Sequence, residues 1–211
     1  DNSSGQYISP LSADDWFAAK NIEKKVNVIS KTNNTGAIFS NGWFYFQKEN
    51  KFTLNDSSTF KRGNLFKEVL VEPDCIFYVG MLYKREIFDK VGKWDENLVI
   101  EDTDMYIRIG LSAAIDYINE PLVYYRRRSE SASNNKQFMM NGFIQYYEKY
   151  KAEPWINMKE WLSERYRSFA TDCIDKKKNK EASFFLMQAL KINPLSLKHF
   201  STLFYLIRQC I

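Results

Sequence analysis

The strongest candidate for chemistry in this sequence is an acidic cluster at residues 101–104. Glu101, Asp102 and Asp104 fall within four positions, and apolar residues with helical spacing follow them. Carboxylates are favoured at the start of a helix, because unpaired N–H groups and the macrodipole present positive potential there. A carboxylate held at the floor of a cleft can also act as a general base. Arg108 follows Asp104 at i,i+4 spacing, which predicts an ion pair and a structural role for both residues.

A second pair of carboxylates, Asp14 and Asp15, follows an apolar segment at residues 6–11. That segment predicts a buried strand, and the pair would then lie at the carboxyl edge of a sheet, where α/β folds bind ligands. Paired oxygens there suit a hard divalent cation such as Mg²⁺ or Mn²⁺, which in turn would hold a diphosphate. The alternative is an N-cap for a helix predicted over residues 15–31. The apolar face of that helix would carry Ile22, Val26 and Ile29.

The remaining residue types exclude several other kinds of active site. The single histidine, His199, lies in the C-terminal part of the sequence, so a Ser/His or Cys/His nucleophile system cannot be assembled around the acidic cluster. Three cysteines, far apart and without CxxC spacing, argue against a disulfide framework or a zinc site and favour a reducing compartment, the cytoplasm. General-base work near neutral pH must then fall to Asp, Glu or a perturbed Lys or Tyr.

Hydrophobic periodicity predicts an α/β domain over residues 1–132 and a helical tail over residues 133–211. The boundary falls in segment 129–135, whose composition shifts towards serine and asparagine. Residues 37–47 are rich in β-forming side chains, and the polar stretch 48–64 is typical of a surface loop.

Two further strand regions are predicted near the acidic cluster. Residues 74–84 predict a buried strand with Gly80 inside it, and such a glycine marks either a bulge or the close approach of a ligand. Residues 113–131 predict two short strands on either side of Asn119, Glu120 and Pro121.

The charge balance of the sequence limits the classes of binding partner. Thirty basic and 26 acidic residues give a net charge of +4, which does not provide the electrostatic footprint of a nucleic-acid-binding protein. The short basic runs Arg126–Arg128 and Lys176–Lys178 are typical of solvated faces, with an anionic lipid or polymer as the alternative ligand. No apolar run reaches the length of a transmembrane helix.

The helical tail carries one local pattern of its own. Small and large residues recur there at the spacing of a single tetratricopeptide-type helical hairpin. The matching residues are Tyr166, Ala170, Ala182, Leu186, Ala189 and Pro194. A single copy cannot form a solenoid, because stacked repeats bury each other's faces. The pattern therefore predicts a helical hairpin docked on the α/β domain.

The order of these motifs resembles that of the family-2 glycosyltransferases, enzymes of GT-A fold that transfer sugars from nucleotide-sugar donors. The resemblance covers residues 5–131 and rests on a combination of short motifs. These are S-A-D-D at 12–15, Gly80, G-x-W-D-E at 92–96, E-D-x-D-x-x-x-R at 101–108 and E-P-L-V-Y-Y-R at 120–126. The resemblance implies an α/β fold, with part of the GT-A fold and a mixed sheet. It also implies an inverting transferase of the kind that builds bacterial surface polysaccharides.

The resemblance also implies roles for individual residues. Asp102 matches the family's catalytic base, which would deprotonate an acceptor hydroxyl as that hydroxyl attacks the anomeric carbon. Ser12–Asp15 matches the metal and nucleotide motif, with Asp14 as a metal ligand and Asp15 as a second ligand or a ribose contact. The implied acceptor contacts are Gly80, Trp94, Asp95 and Glu101. The implied contacts to the donor diphosphate are Ser12, Arg126 and Arg128.

Three departures from the family pattern bear on these roles. Ser12 replaces the first carboxylate of the metal motif. Arg128 stands where many members have a histidine that completes the metal site, and a cation there disfavours a metal and can meet the diphosphate directly. Far fewer residues precede Asp14 than in the family, so the resemblance implies the acceptor-side part of the domain.

Two functions follow from the sequence. The first is a glycosyltransferase whose partners are a nucleotide sugar and a glycan or lipid-linked acceptor, with peripheral contact at the inner face of a membrane. The second is a non-catalytic module of the same fold that binds a protein or a glycan. Ser12 and Arg128 are the residues that keep the second function open.

Overall fold

The computed structural model describes most of the chain, namely residues 3–128, 131 and 135–210. Contacts divide the chain into two compact units, Asp1–Ser131 and Ala132–Ile211. Most of segment 129–135, where the sequence predicts the domain boundary, lies outside the described residues.

The first unit is built on one mixed sheet of six strands. In chain order they are β1 (Tyr7–Ile8), β2 (Trp16–Phe17), β3 (Thr35–Phe46), β4 (Lys51–Leu54), β5 (Leu82–Lys84) and β6 (Ala114–Arg127). Their order across the sheet is β1-β5-β3-β6-β2, with β4 also paired to β3. β3 and β6 run parallel, and the other pairs are antiparallel. Both long strands are rich in aromatic and β-branched residues, which suit a pleated and half-buried surface. The α/β class with a mixed sheet is therefore present.

In the described part of this unit, four α-helices and a short 3₁₀ turn accompany the sheet. They are α1 (Asn21–Ile29), α2 (Glu68–Val71), the 3₁₀ turn Pro73–Cys75, α3 (Ile87–Val91) and α4 (Glu101–Ser112). α4 is buried along most of its length, with Met105, Ile107 and Ile109 fully inside. A Cβ at Gly110 would lie 2.4 Å from the backbone nitrogen of Phe66, so only glycine lets the helix approach that segment.

The helix predicted over residues 15–31 is wrong in its start, and of its predicted apolar face Ile29 is buried and Val26 packs beside it, whereas Ile22 is exposed. α1 begins at Asn21, and Asp14 and Asp15 precede β2, so neither carboxylate caps the helix. The chain stays extended there because β2 pairs with β6. The residues that α1 buries are Asn21, Lys25 and Ile29.

Several predicted strands also differ from the structure. The buried strand predicted at residues 6–11 is only the half-buried β1. The strand predicted at 74–84 shrinks to β5, and Gly80 lies before it with a left-handed φ of 70°. The two strands predicted around Pro121 are one continuous strand, β6, because its pairing register with β3 shifts next to Asn41 and accommodates the proline. The polar loop at 48–64 contains β4, which forms a hairpin with β3.

The second unit is helical in its described part. Its helices are α5 (Lys136–Tyr150), α6 (Met158–Asp175), α7 (Asn179–Ile192) and α8 (Leu197–Cys210). The predicted hairpin is formed by α6 and α7, which meet through the fully buried small residues Ala170 and Ala182. α8 adds Leu206 to the same core. None of the described helices has both the length and the apolar character needed to cross a bilayer.

Candidate functional site

Strand pairing holds the turn Ser12–Asp15 beside the C-terminal end of β6. The antiparallel pairing of β2 with β6 sets Trp16 opposite Tyr124. The backbone N–H of Arg126 donates to the Asp15 carboxylate at 2.9 Å, and the Arg126 Nε donates to the carbonyl of Asp14 at 3.0 Å. Residues far apart in the sequence therefore form one polar group at this edge of the sheet.

Each carboxylate of the turn has an arginine neighbour. Arg128 Nη2 lies 2.5 Å from Asp14 Oδ2 and forms an ion pair with it. Asp15 is 8% exposed, and this burial raises the pKa of its carboxyl, an effect partly opposed by the hydrogen bond from Arg126. A guanidinium has five N–H donors, so an arginine that holds a carboxylate can also bind a phosphate oxygen.

Aromatic rings fix the position of Arg126. Its guanidinium carbon lies 5.4 Å from the ring centre of Trp16 and 5.6 Å from that of Tyr45. Trp16 in turn stacks on Tyr124 with a centroid distance of 5.0 Å. A cation held over two ring faces loses little further conformational entropy when it binds an anion. Arg127, the next residue, lies over different rings, those of Phe44 and Tyr125, as alternation along a strand requires.

Asp102 lies in the first turn of α4 in a different environment. Its Oδ1 accepts a hydrogen bond from the backbone N–H of Thr103 at 2.6 Å and lies 3.4 Å from the Thr103 hydroxyl. Burial raises the pKa of the Asp102 carboxyl, the Thr103 hydrogen bond opposes this, and the neighbouring Glu101 adds to the rise. A carboxylate with a raised pKa is a stronger base than an ordinary aspartate, which is what general-base catalysis needs.

Asp104 and Arg108 form the ion pair that their spacing predicts. Arg108 Nε donates to the fully buried Asp104 at 2.8 Å, and the guanidinium also donates to the backbone carbonyls of Val91 and Lys93. These contacts tie the end of α3 and the turn at Gly92 to α4. Arg108 therefore supports the segment that leads into the acidic cluster.

Three of the four residues predicted to contact an acceptor lie along that segment, and the fourth, Gly80, lies outside it. Trp94 is half-buried, with its ring centre 5.6 Å from that of Tyr83 and 5.1 Å from that of Phe88. Asp95 accepts a hydrogen bond from the backbone N–H of Asn97 at 3.2 Å, which closes an Asx turn. Glu101 is exposed beside Asp102.

Residues 78–80, hereafter the bridging segment, contact elements of both acidic regions. A Cβ at Gly80 would lie 2.8 Å from the ring of Phe17 in β2, so the segment packs directly against the strand that follows Asp15. At its other end, the Tyr78 carbonyl accepts a hydrogen bond from Tyr106 of α4 at 3.2 Å. Burial raises the pKa of the Tyr78 hydroxyl, and the Asp102 charge raises it further. The bridging segment thus contacts β2, the strand that follows Asp15, and α4, the helix whose first turn carries Asp102.

A buried lysine, which sequence reasoning missed, holds the bridging segment in place. The Lys25 side chain is fully buried, and its Nζ donates to the Gly80 carbonyl at 2.5 Å. Burial lowers the pKa of the Lys25 amine to about 7. One turn earlier on α1, the side-chain amide of Asn21 donates to the Leu122 carbonyl of β6 at 2.7 Å. The i,i+4 spacing of Asn21 and Lys25 was visible in the sequence, but nothing local indicated that this polar row faces inward.

The side chains around Ser12–Asp15 do not fit a resident divalent cation. Ser12 supplies a hydroxyl where a carboxylate would be needed, Asp14 is paired with Arg128, and Asp15 accepts a hydrogen bond from Arg126. A guanidinium beside the ligand oxygens repels a metal ion. Among the described residues, no group of three or more His, Cys, Asp or Glu side chains could hold a metal. The arginines supply positive charge at this place.

Comparison with known proteins gives one distant similarity. The chain is 28% identical over 136 residues to an uncharacterized glycosyltransferase of Rickettsia bellii. The matched region covers 63% of this chain and 20% of that protein, so the similarity spans about a fifth of the relative's length. No protein-family model matches the chain.

Proposed function

We propose that this chain carries the acceptor side of an inverting nucleotide-sugar glycosyltransferase, with Asp102 as the general base. The observation that carries the proposal is the half-buried Asp102 carboxylate in the first turn of α4, which accepts its hydrogen bond from Thr103 and whose pKa is raised by burial. The similarity to a glycosyltransferase supports the same class of reaction. Bacterial surface polysaccharide synthesis, implied by the motif pattern, is the proposed setting, with a glycan or lipid-linked saccharide as acceptor.

The proposed reaction is a single displacement. Asp102 accepts the proton of an acceptor hydroxyl, whose oxygen attacks the anomeric carbon of the donor sugar from the face opposite the leaving group. The new glycosidic bond forms as the bond from the anomeric carbon to the diphosphate oxygen breaks, and the nucleoside diphosphate leaves with that electron pair. Arg126 and Arg128 offset the charge that develops on the diphosphate. The proposal assigns this offset to arginine side chains and derives no step through a metal ion.

The direct test is a transfer assay on the protein encoded by the full reading frame, with a panel of nucleotide sugars as donors. We expect Asp102→Asn to lower kcat by roughly 10²- to 10⁴-fold, because an amide cannot accept the proton. The kcat/KM of the wild type should also fall as the pH decreases through the raised pKa of Asp102. Asp89→Asn, which changes an exposed carboxylate of α3, is the matched control and should retain wild-type kcat.

A non-catalytic binding module is the second candidate, and the pairing of Asp14 with Arg128 favours it. A site whose charges are matched within the protein is stable without a donor. Under this alternative the full-length protein binds a glycan acceptor but hydrolyses and transfers no nucleotide sugar. Wild-type transfer rates in Asp102→Asn would refute the base assignment. Acceptor binding without any turnover, across the whole donor panel, would favour the module.

A further inference from the structure

The C-terminal helix α8 presents its largest apolar side chains to solvent. Leu197 is 83% exposed and Phe204 is 69% exposed, and Phe200 and Ile207 are also exposed. Their spacing of i, i+3, i+7 and i+10 places them along one face of the helix, hereafter the apolar stripe. Isolated exposed apolar residues are common on protein surfaces, but a contiguous stripe of this kind marks an interaction surface.

The packed face of α8 is the more polar one. His199 is fully buried and Thr202 is 5% exposed, and both lie with Leu206 on the side that faces α6 and α7. His199 Nδ1 is hydrogen-bonded to the Asn193 carbonyl at 2.9 Å, and the Thr202 hydroxyl donates to the Lys198 carbonyl at 3.0 Å. Packing within the helical unit therefore does not account for the apolar stripe, because the helix turns that stripe away from the core it helps to form.

The charged side chains of residues 182–211 have one sign, and the carboxylates next to α8 come from α6. There, Glu164 lies 3.9 Å from Lys198, and Asp175 accepts a hydrogen bond from Tyr205. Residues 182–211 contain no Asp or Glu, and their charged side chains are Lys191, Lys198 and Arg208. All three are exposed, and Arg208 follows Phe204 by one helical turn and so lies alongside the stripe. A helix whose apolar face is bordered by arginine, in a segment without acidic residues, is the pattern of helices that lie in the interface of an anionic membrane.

A second copy of the chain is a poorer partner for this surface. In a two-fold symmetric contact the same patch meets itself, so the two Arg208 side chains would lie beside the same interface, with the carboxylate of Glu164 on the far side of α8 next to Lys198. A membrane with anionic headgroups satisfies both features at once, because acyl chains accept the apolar stripe and phosphates accept Arg208.

We propose that α8 binds the surface of an anionic lipid bilayer, with Leu197, Phe200, Phe204 and Ile207 inserted between the headgroups and with Arg208 on phosphates. The inference is independent of the transferase chemistry, since no residue of the acidic regions takes part. It gives a surface-bound position to a chain whose described helices cannot span a bilayer.

The test is co-sedimentation of the 211-residue chain with vesicles, either of phosphatidylcholine alone or of phosphatidylcholine mixed with phosphatidylglycerol. We expect binding to the mixed vesicles that weakens with salt. Leu197→Ser combined with Phe204→Ser should weaken it by about tenfold or more, because two inserted side chains are lost. Arg208→Gln should weaken it roughly fivefold on the mixed vesicles only, whereas Lys198→Gln, at a lysine that lies beside Glu164, should bind like the wild type. Ile22→Ser, at an exposed apolar position of α1, is the matched control and should bind like the wild type.

A Phe204→Trp variant reports insertion directly, because indole emission shifts to shorter wavelength on leaving water. A blue shift with mixed vesicles supports the proposal. Equal binding by the wild type and the double serine variant would overturn it, as would a lack of binding to mixed vesicles at low salt. Light scattering measures the molar mass in solution and so tests self-association. A wild type that is a dimer, that Phe204→Ser converts to a monomer and that does not bind vesicles would show that the stripe is a dimer interface, which would overturn the proposal.

Discussion

The turn Ser12–Asp15 and the first turn of α4 both concentrate carboxylates, but they neutralise them differently. In the turn, Asp14 is paired with Arg128 and Asp15 accepts a hydrogen bond from Arg126. In α4, the fully buried Asp104 is paired with Arg108, whereas Asp102 receives its hydrogen bonds from the uncharged Thr103. Within one helical turn, and among the residues that the structure describes, one aspartate is thus matched by a cation and the other is not.

This difference separates structural carboxylates from a reactive one. A carboxylate beside a guanidinium is stabilised as the anion and makes a poor proton acceptor, while burial without a cation raises the basicity. Asp102 is also the position at which the sequence motif predicts a base. Four substitutions test whether the two kinds of carboxylate behave as differently as their surroundings indicate.

The largest effect on stability is expected from Asp104→Asn. The substitution keeps the shape of the side chain but leaves the Arg108 guanidinium without its buried counter-charge. Breaking such a pair costs about 3 kcal/mol of unfolding free energy. Urea denaturation monitored by tryptophan fluorescence measures the change. A loss below about 1 kcal/mol would mean that the carbonyls of Val91 and Lys93 satisfy Arg108 without Asp104.

Lys25→Met extends the comparison from buried carboxylates to a buried amine, which donates a hydrogen bond to a backbone carbonyl. The Lys25 amine has a folded-state pKa of about 7, against 10.5 in the unfolded chain. Between these values the unfolded chain binds the extra proton, so the stability of the wild type rises with pH by about 1.4 kcal/mol per unit. This contribution of Lys25 to stability is lost as the pH falls through about 7.

Lys25→Met should remove that dependence. We expect Lys25→Met to be less stable than the wild type at pH 9, where the neutral Lys25 amine still donates a hydrogen bond to the Gly80 carbonyl. Towards pH 6 the difference in stability between the two proteins should disappear. Lys31→Met, at an exposed lysine beyond α1, should follow the wild type at every pH. Parallel stability curves for the wild type and Lys25→Met would show that Lys25 titrates normally.

Arg128→Gln addresses the cation-matched region. If its guanidinium holds the donor diphosphate, the substitution should weaken binding of a nucleoside diphosphate to the full-length protein by roughly tenfold, the effect of one lost charge-assisted hydrogen bond. Arg127→Gln is the matched control, because Arg127 lies over Phe44 and Tyr125 rather than at the turn. Isothermal titration gives both affinities, and equal losses in the two variants would indicate only a general effect of net charge.

Features set by local spacing could be predicted from the sequence. The β-rich stretch 37–47 matches β3, which begins two residues earlier and ends one residue earlier, and the Asp104–Arg108 pair follows from i,i+4 geometry. The hairpin of α6 and α7 follows from its small residues, which let the two helices meet closely. In each of these cases the residues that decide the structure are neighbours in the chain or on one helix face.

Features set by distant partners could not be predicted. The extended residues after Asp15 owe their conformation to β6, and the inward row of Asn21 and Lys25 owes its burial to carbonyls of Leu122 and Gly80. A polar row on a helix reads as a solvated face unless the acceptors opposite it are known. The acidic residues were therefore found from the sequence, whereas the contacts that distinguish them were not.

Asp102→Asn should have the smallest effect on stability and the opposite sign to Asp104→Asn. Burial raises the pKa of Asp102 above its ordinary value of 3.8. At pH values between 3.8 and the raised pKa, the folded state binds more protons than the unfolded chain, so the folded state loses stability as the pH rises through this range. Asparagine cannot ionise, yet its side-chain carbonyl can still accept the hydrogen bond from Thr103. The variant should therefore be more stable than the wild type at pH 7 and similar to it below about pH 4. An equal loss of stability at both values would place Asp102 among the structural carboxylates and remove the physical basis for its role as the base.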